Sequence, residues 1–313
     1  MAGTFAGTAG KPTYTVDLLR WYLGAPNEPI PASFAALHLP TTLATTAYAD
    51  LPAAAGGPFP VILFSHGFGG YPEQSSFLTI HLATWGFVVV APDHRSRDLA
   101  AVLKNTSRQC ACDVTDLRAA LQDVTAMDHA AGTLLSGKLD LTRVASLGHS
   151  AGGGAAISIA AQPGVKGFVA MAPVPGRIPP AGKPGLIMQG TGDQVVLPTD
   201  GVHVYRTLNT PKRLILIDSG GHNVFSDACV IGAAQGGLRA FIGNLNLPAS
   251  FQRLALDGCS PPDVFPPTAW PLIDHAVTAQ IRWALGIDPE PVGLGSDLNN
   301  AYTGVTAHVT SNP

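Results

Sequence analysis

Short apolar runs alternate with helix-like segments along most of the chain between residues 61 and 285. Continuous runs rich in Val, Ile, Leu and Ala predict strands that are buried on both faces. We expect these strands at 61–64, 88–91, 144–147, 167–172, 185–189 and 213–217. Apolar residues at helical spacing predict helices at 73–85, 113–127, 151–161 and 272–285. Buried strands that alternate with helices indicate an α/β fold, with a mostly parallel central sheet flanked by helices.

The same pattern divides the chain into three segments. Residues 1–34 contain Gly, Thr and Pro with one apolar patch, and we predict an N-terminal extension that wraps the rest. Residues 35–288 contain all the predicted strands and helices and form one α/β domain. Residues 289–313 are rich in Gly, Asn and Thr, which predicts a C-terminal tail or an edge element.

Charged residues are scarce: Asp, Glu, Lys and Arg make up 12% of the 313 residues, against about 25% in average soluble proteins. No stretch of about 18 strongly apolar residues is present, so we predict no membrane span. The net charge of −3 and the scattered Lys and Arg residues leave no basic face for a phosphate backbone. Nucleic acid is therefore not expected as a partner.

The cysteines bear on localisation. Cys110, Cys112, Cys229 and Cys259 allow three pairings, and either disulfides or buried thiols fit their number. If they are bridged, we favour Cys229 with Cys259, because a Cys110–Cys112 ring is too tight to be common. Disulfides would indicate an oxidising compartment, so we predict a secreted or periplasmic protein, and otherwise a cytoplasmic one. Residues 1–10 lack the basic and apolar pattern of a secretory signal.

A nucleophile motif follows the strand predicted at 144–147. The sequence Gly148-His149-Ser150-Ala151-Gly152 has the form G-x-S-x-G and runs from a strand into a helix of small residues. Glycines on both sides of the serine let strand and helix pass closely, so that the hydroxyl projects beyond the end of the strand. This pattern predicts Ser150 as a catalytic nucleophile.

A serine needs an imidazole to accept its proton and a carboxylate to orient that imidazole. Asp193 follows the strand predicted at 185–189, and His222 lies in a glycine loop after the strand at 213–217. We predict His222 as the base and Asp193 as the acid. His203 and His275 fall inside predicted helices, which favours surface or packing roles. Asp218 is the alternative acid, but it lies next to the loop that carries His222. From that position its carboxylate would reach the imidazole only with difficulty.

The loop after the first strand of the domain, 65–70, has the sequence Ser-His-Gly-Phe-Gly-Gly. An oxyanion needs two preplaced donors, and backbone N–H groups supply them without reorganisation. We assign this role to the amides of Phe68 and Ala151. No cluster of His, Asp and Glu has the spacing of a catalytic metal site, so we expect neither a metal nor a cofactor.

Together, the motifs at 60–70 and 148–154 resemble the α/β-hydrolase superfamily over about residues 35–287. Within it they look like the branch of dienelactone-hydrolase-like proteins, platelet-activating-factor acetylhydrolases and cutinase-like polyester hydrolases. Dienelactone hydrolases themselves have cysteine at the position of Ser150. The resemblance implies an α/β-hydrolase catalytic domain at 35–288, and a serine esterase (carboxylesterase) that acts through a Ser-His-Asp triad and an acyl-enzyme.

Many esterases of this fold carry a helical cap after the strand predicted at 167–172. Here only about a dozen residues, five of them proline, precede the next strand, so we predict no large cap and an open cleft. An open cleft accepts small-molecule or polymeric esters, so polyester hydrolase or lipase activity is an alternative. Two less favoured alternatives are acyl transfer by the same residues and a hydrolase fold that binds a ligand without catalysis. We predict that the cleft walls include the substrate-binding residues Tyr71, His149, Val195 and Phe225.

Overall fold

The computed structural model describes residues 14–24, 29–36, 38–243 and 248–312. Within this part of the chain the strands are β1 (Thr15–Asp17), β2 (Thr42–Ala44), β3 (Phe59–Ser65), β4 (Val88–Val90), β5 (Leu139–His149), β6 (Val165–Met171), β7 (Gly185–Gly190), β8 (Lys212–Ile217) and β9 (Ala307–Asn312). Seven of them form the central sheet in the order β4-β3-β5-β6-β7-β8-β9. Strands β3 to β8 pair in parallel, and β9 is antiparallel to β8.

The described helices are α1 (Leu18–Leu23), α2 (Ala32–Ala35), α3 (Ser76–Thr84), α4 (Leu99–Leu103), α5 (Cys112–His129), α6 (Ala151–Ile159), α7 (Pro198–Thr207), α8 (Gly237–Gly243), α9 (Ala249–Leu256) and α10 (Pro266–Ala284). Neighbouring residues of β3 show how these helices cover the sheet. Ile62 packs in a buried cluster with residues of α3 and α10, and Leu63 packs on the opposite face with residues of α5, α6 and α7. Because both faces are covered, the strands are apolar throughout instead of alternating.

The predicted α/β class, with a mostly parallel sheet and flanking helices, is confirmed. All six predicted strands and all four predicted helices are present, with shifted ends. β5 begins at Leu139, five residues before the predicted start. The apolar pattern missed this part of the strand because polar residues at 140, 142 and 143 interrupt the run. α10 begins at Pro266, where the fixed φ of proline suits the first turn of a helix.

Residues 172–184, between β6 and β7, contain no helix, as the prolines predict.

The ends of the chain contain strands and a helix that the apolar pattern does not predict. β1 pairs with β2, and α1 follows β1 directly. The predicted C-terminal tail contains β9, which is the edge strand of the central sheet. Residues 1–13 and 25–28 of the predicted extension lie outside the described residues.

Two disulfides are present. Cys229 is bonded to Cys259, the pair favoured by the sequence, but Cys110 is also bonded to Cys112. Our expectation that the Cys110–Cys112 ring is too tight was wrong, because the chain turns into α5 at Cys112 and leaves the two Cα atoms 5.2 Å apart, within the usual range for a disulfide.

No helix in the described part of the chain has both the length and the apolar character needed to cross a membrane.

Candidate active site

Ser150 lies in a tight turn between β5 and α6. Its φ of 60° and ψ of −123° are strained for a non-glycine residue, and its N–H donates to the carbonyl of Met171 at 2.8 Å. A Cβ on Gly148 would lie 2.1 Å from the carbonyl oxygen of Gly152, and a Cβ on Gly152 would lie 2.0 Å from that of Ser65. Only glycine therefore allows strand, helix and the neighbouring strand to meet here, which holds the serine at the end of the sheet.

Asp193 and His222 follow β7 and β8, so both lie at the same edge of the sheet as Ser150. The Nδ1 atom of His222 donates to Oδ2 of Asp193 at 2.9 Å. The other ring nitrogen, Nε2, is buried and has no hydrogen-bond partner among the described residues. Because Nδ1 carries the proton in this hydrogen bond, Nε2 presents a lone pair and can accept a proton.

Asp193 is fully buried, and its carboxylate is held by several donors. Oδ1 accepts from the N–H groups of Val195 and Val196, both at 2.8 Å. Oδ2 accepts from the side-chain amide of Gln189 at 3.1 Å as well as from His222. The two oxygens are therefore distinguished: one is fixed by backbone donors, and the other faces the imidazole. Gln189 has no recognisable motif, and the sequence did not single it out.

Asp257 is a second carboxylate at the site, and the sequence did not reveal it. Its Oδ1 accepts from the N–H of His222 at 2.5 Å, and its Oδ2 accepts from the N–H of Gln194 at 3.2 Å. Asp257 thus joins the loop that carries the histidine to the loop that carries the acid. Burial raises the pKa of its carboxyl group. The Cys229–Cys259 disulfide secures this segment two residues further on.

In the loop between β3 and α3, the backbone donor of Phe68 is uncommitted among the described residues, unlike those of the neighbouring glycines. The N–H groups of Gly67, Gly69 and Gly70 each donate to another group of the protein. Neither Phe68 nor Ala151, at the start of α6, donates a backbone hydrogen bond among the described residues. These are the two amides that the sequence assigned to an oxyanion site, and the hydrogen-bond pattern leaves both of them available.

A buried chain of hydrogen bonds connects this loop to the histidine. Gly67 donates its N–H to Oε1 of Gln74 at 2.7 Å, and Nε2 of Gln74 donates to Nδ1 of His149 at 2.5 Å. Nε2 of His149 then donates to the carbonyl oxygen of His222 at 3.0 Å. The carbonyl can only accept, so the proton of His149 is on Nε2. Burial, with a smaller contribution from the charge of His222, keeps the pKa of His149 well below its usual value.

Ser150 and His222 both line a cavity of about 450 Å³. Ser150 is 4% exposed and His222 is 1% exposed, so both reacting side chains are largely buried. Although no cap follows β6, residues of α1, α4, α8 and α9 surround the cavity together with the loop at 67–71. The absence of a cap was predicted correctly. The open cleft stays a prediction: these segments add walls to the cavity, while Phe68 at its rim is 43% exposed.

The predicted wall residues divide into two groups. Tyr71 and His149 line the cavity, as does Phe68. Val195 and Phe225 do not: Phe225 is completely buried in the cluster between the sheet and α10, and Val195 packs against the same cluster. The structure therefore lends no support to the assignment of Val195 and Phe225 to substrate binding, which stays a prediction. Both follow a site residue closely along the chain, but their side chains pack against the core.

The rival acid and bases lie apart from the site. Asp218 contacts Nε2 of His308 on β9 at 3.0 Å, with both side chains largely exposed. His203 lies on α7, and His275 on α10 is within 3.3 Å of the carbonyl oxygen of Gly293. None of these three lines the cavity.

A second Ser-His-Asp arrangement lies at the end of β3 but does not line the cavity at Ser150. Arg97 donates to Oγ of Ser65 at 3.0 Å, and Ser65 contacts Nε2 of His94 at 2.8 Å. Nδ1 of His94 is 2.9 Å from a carboxylate oxygen of Asp116. Burial lowers the pKa of His94 to about 2, and Ser65 is completely buried. These contacts anchor the end of β3 rather than forming a second active site.

Comparisons with known proteins agree with this architecture. The family model described as "PETase: PET hydrolase-like" matches residues 44–236, more than half of the chain. A segment of 50 residues is 42% identical to platelet-activating factor acetylhydrolase from Cavia porcellus, which corresponds to 16% of this chain and 12% of the length of that protein. Both descriptions are of hydrolases, and both agree with the resemblance noted in the sequence. The chain therefore belongs to the PET hydrolase-like family, a family of ester hydrolases within the α/β-hydrolase superfamily.

Proposed function

We propose that the protein is a serine carboxylic-ester hydrolase that acts through Ser150, His222 and Asp193. The observation that carries this proposal is the free Nε2 atom of His222. It belongs to an imidazole whose other nitrogen is bonded to Asp193, and it lies at the same cavity as a serine in a strained turn. Such an arrangement suits proton transfer from a serine hydroxyl.

In the proposed reaction, Ser150 Oγ attacks the ester carbonyl carbon while Nε2 of His222 accepts the hydroxyl proton. Asp193 stabilises the imidazolium, and the amides of Phe68 and Ala151 donate to the developing oxyanion. Collapse of the tetrahedral intermediate breaks the bond to the alcohol, which leaves with the proton from His222. Water, activated by the same imidazole, then hydrolyses the acyl-enzyme and regenerates the Ser150 hydroxyl. Neither a metal nor an organic cofactor takes part.

Replacing the serine tests this proposal. Ser150→Ala removes the nucleophile and should lower kcat for p-nitrophenyl butyrate on the order of 10⁶-fold, as in other serine hydrolases. The melting temperature should stay close to that of the native protein, because alanine preserves the packing of the turn. Undiminished turnover in the folded variant would refute the assignment of Ser150.

Polyester hydrolysis is a second candidate, supported by the family description. Release of soluble products from a polyester film, compared with turnover of p-nitrophenyl esters by the same preparation, separates a polyester hydrolase from an esterase of small substrates. We also propose a secreted or periplasmic location, because the two disulfides suit an oxidising compartment.

A further inference from the structure

The cavity at Ser150 has apolar walls from two segments that lie outside the family match at 44–236. One is α1, at the N-terminal end of the described chain, and the other comprises α8 and α9. Their apolar contributions are Leu18, Leu19, Tyr22, Leu238, Ile242, Phe251, Leu254 and Ala255. The region shared with the family supplies the reacting groups, whereas these added segments surround the space next to them.

Hydrogen bonds fix α1 in place. Asp17 Oδ1 accepts from the N–H of Leu19 at 3.0 Å and from the hydroxyl of Thr41 at 3.2 Å. The N–H of Leu18 donates to the carbonyl of Thr41 at 3.0 Å. Leu18 and Leu19 are both buried. The helix is therefore an integral wall of the cavity and not a loosely attached extension.

Polar side chains at the cavity largely satisfy one another. Thr41 donates its hydroxyl to the N-cap carboxylate of α1, Asn223 donates its amide to the carbonyl of Leu254, and Ser226 donates to the side chain of Asn223. These three groups need no partner from a ligand, whereas the buried hydroxyl of Tyr71, which also lines the cavity, has no hydrogen-bond partner among the described residues. Apart from this hydroxyl and the reacting atoms, a ligand meets mainly hydrocarbon surface.

We propose that this cavity holds an unbranched hydrocarbon chain of a small ester, and that α1 and α9 limit its length. The proposal rests on the proposed ester hydrolysis and names the substrate class of that site. A volume of about 450 Å³ has room for about 15 groups of the size of a water molecule, at about 30 Å³ each. After the three heavy atoms of the ester group, space remains for about a dozen such groups, so a chain of up to about ten carbons fits together with the start of the alcohol. An apolar pocket with walls from α1, α8 and α9 suits such a chain.

The test measures kcat/KM for p-nitrophenyl esters from acetate to dodecanoate. For the native protein we expect an increase of up to about fourfold for each added methylene group, until the pocket is full and the rate falls. Leu19→Trp should shift the optimum to shorter chains by reducing the space, and Leu19→Ala should shift it to longer chains. Identical length profiles for the native protein and both Leu19 variants would overturn the proposal.

Leu134→Trp is the matched control, because Leu134 is 42% exposed and does not line the cavity. Its length profile should equal that of the native protein. Calorimetry of octanoate binding to Ser150→Ala separates the proposed pocket from the proposed hydrolysis. If the native protein had no ester turnover, but Ser150→Ala bound octanoate and a further Leu19→Trp change abolished that binding, the hydrolase would be refuted and the pocket supported. If the native protein hydrolysed esters at rates independent of chain length, the hydrolase would be supported and the pocket refuted.

A separate observation, the hydrogen-bond chain from Gly67 through Gln74 and His149 to His222, carries a second inference. Each link has one possible direction: the His222 carbonyl fixes the proton of His149, and unprotonated Nδ1 then requires the amide nitrogen of Gln74. The remaining amide oxygen of Gln74 accepts from Gly67. The chain thus ties the loop that presents the Phe68 amide to the backbone of the proposed base.

We infer that Gln74 and His149 are positioning residues that fix the oxyanion loop relative to His222. Gln74→Leu keeps the volume but breaks both links of Gln74. Because the oxyanion site acts mainly on the transition state, kcat for p-nitrophenyl butyrate should fall about 10- to 100-fold with KM within about twofold. Active-site titration with an organophosphonate corrects kcat for any misfolded fraction.

Gln122→Leu, on the exposed face of α5, is the matched control and should leave both constants unchanged. His149→Phe breaks the chain at its second member and should reproduce the fall in kcat of Gln74→Leu. A double variant should lose little more than either single one, because both changes break the same chain. Native kcat in the titrated Gln74→Leu enzyme, or multiplication of the two losses in the double variant, would overturn the inference.

Discussion

Replacing Asp193 by asparagine tests the proposed division of labour between its two carboxylate oxygens. In the native protein, the N–H groups of Val195 and Val196 bind Oδ1, while Oδ2 accepts from Nδ1 of His222. An asparagine side chain must keep its oxygen toward the two backbone donors. Its NH₂ group then takes the position of Oδ2 and faces the imidazole as a donor.

This replacement reverses the tautomer of His222. With a donor opposite it, Nδ1 must accept, so the proton moves to Nε2 and the imidazole can no longer take a proton from Ser150. The corresponding change in serine proteases lowers kcat about 10⁴-fold, or about 5.4 kcal/mol in transition-state stabilisation. We expect a loss of that order for Asp193→Asn. The assay is the steady-state kcat for p-nitrophenyl butyrate, with circular dichroism to verify the fold.

Asp218→Asn is the matched control, since Asp218 contacts the exposed His308 and lies outside the cavity. It should retain native kcat. If Asp218→Asn lost activity and Asp193→Asn kept it, the acid would be wrongly assigned. If neither variant lost more than about tenfold, the imidazole would need no carboxylate partner, and the proposed triad would be refuted.

Two further predictions concern stability. Burial raises the pKa of Asp227 to about 7, although its carboxylate accepts from an N–H at the start of α3. The folded protein therefore holds a proton that the unfolded chain has lost, so stability should fall as pH rises from about 4 to 7, by about 4 kcal/mol at most. Urea unfolding of Asp227→Asn should lack this part of the pH dependence, while the part due to the raised pKa of Asp274 remains; equal slopes in both proteins would contradict the burial argument. Reducing the Cys229–Cys259 bridge, which spans 30 residues, should lower the free energy of unfolding by about 3.5 kcal/mol, and Cys229→Ser should do the same. Unchanged unfolding curves after reduction would show that the native contacts hold this segment without the bridge.

The central sheet and the proposed reacting groups could be predicted because their signals are local. Buried parallel strands give continuous apolar runs, and the turn at Ser150 requires glycines that the sequence displays at fixed spacing. Asp193 and His222 each follow such a strand directly. Their proximity in space then follows from the topology of the sheet, because the carboxyl ends of parallel strands meet at one edge.

The walls of the cavity could not be predicted in the same way. The apolar patch at 18–23 has no clear period, and nothing in its sequence indicates that it packs beside loops about 50 and 130 residues further along the chain. Val195 and Phe225 are apolar and adjoin site residues, yet the direction of their side chains depends on the local turn. Asp257 makes long-range hydrogen bonds to backbone N–H groups, which leave no pattern in a sequence.

Mass spectrometry of the protein after reaction with a p-nitrophenyl alkylphosphonate identifies the nucleophile. We predict one adduct per chain, located on Ser150, with loss of esterase activity in proportion to labelling and no adduct in Ser150→Ala. An adduct on another residue, or full esterase activity with Ser150 labelled, would contradict this prediction.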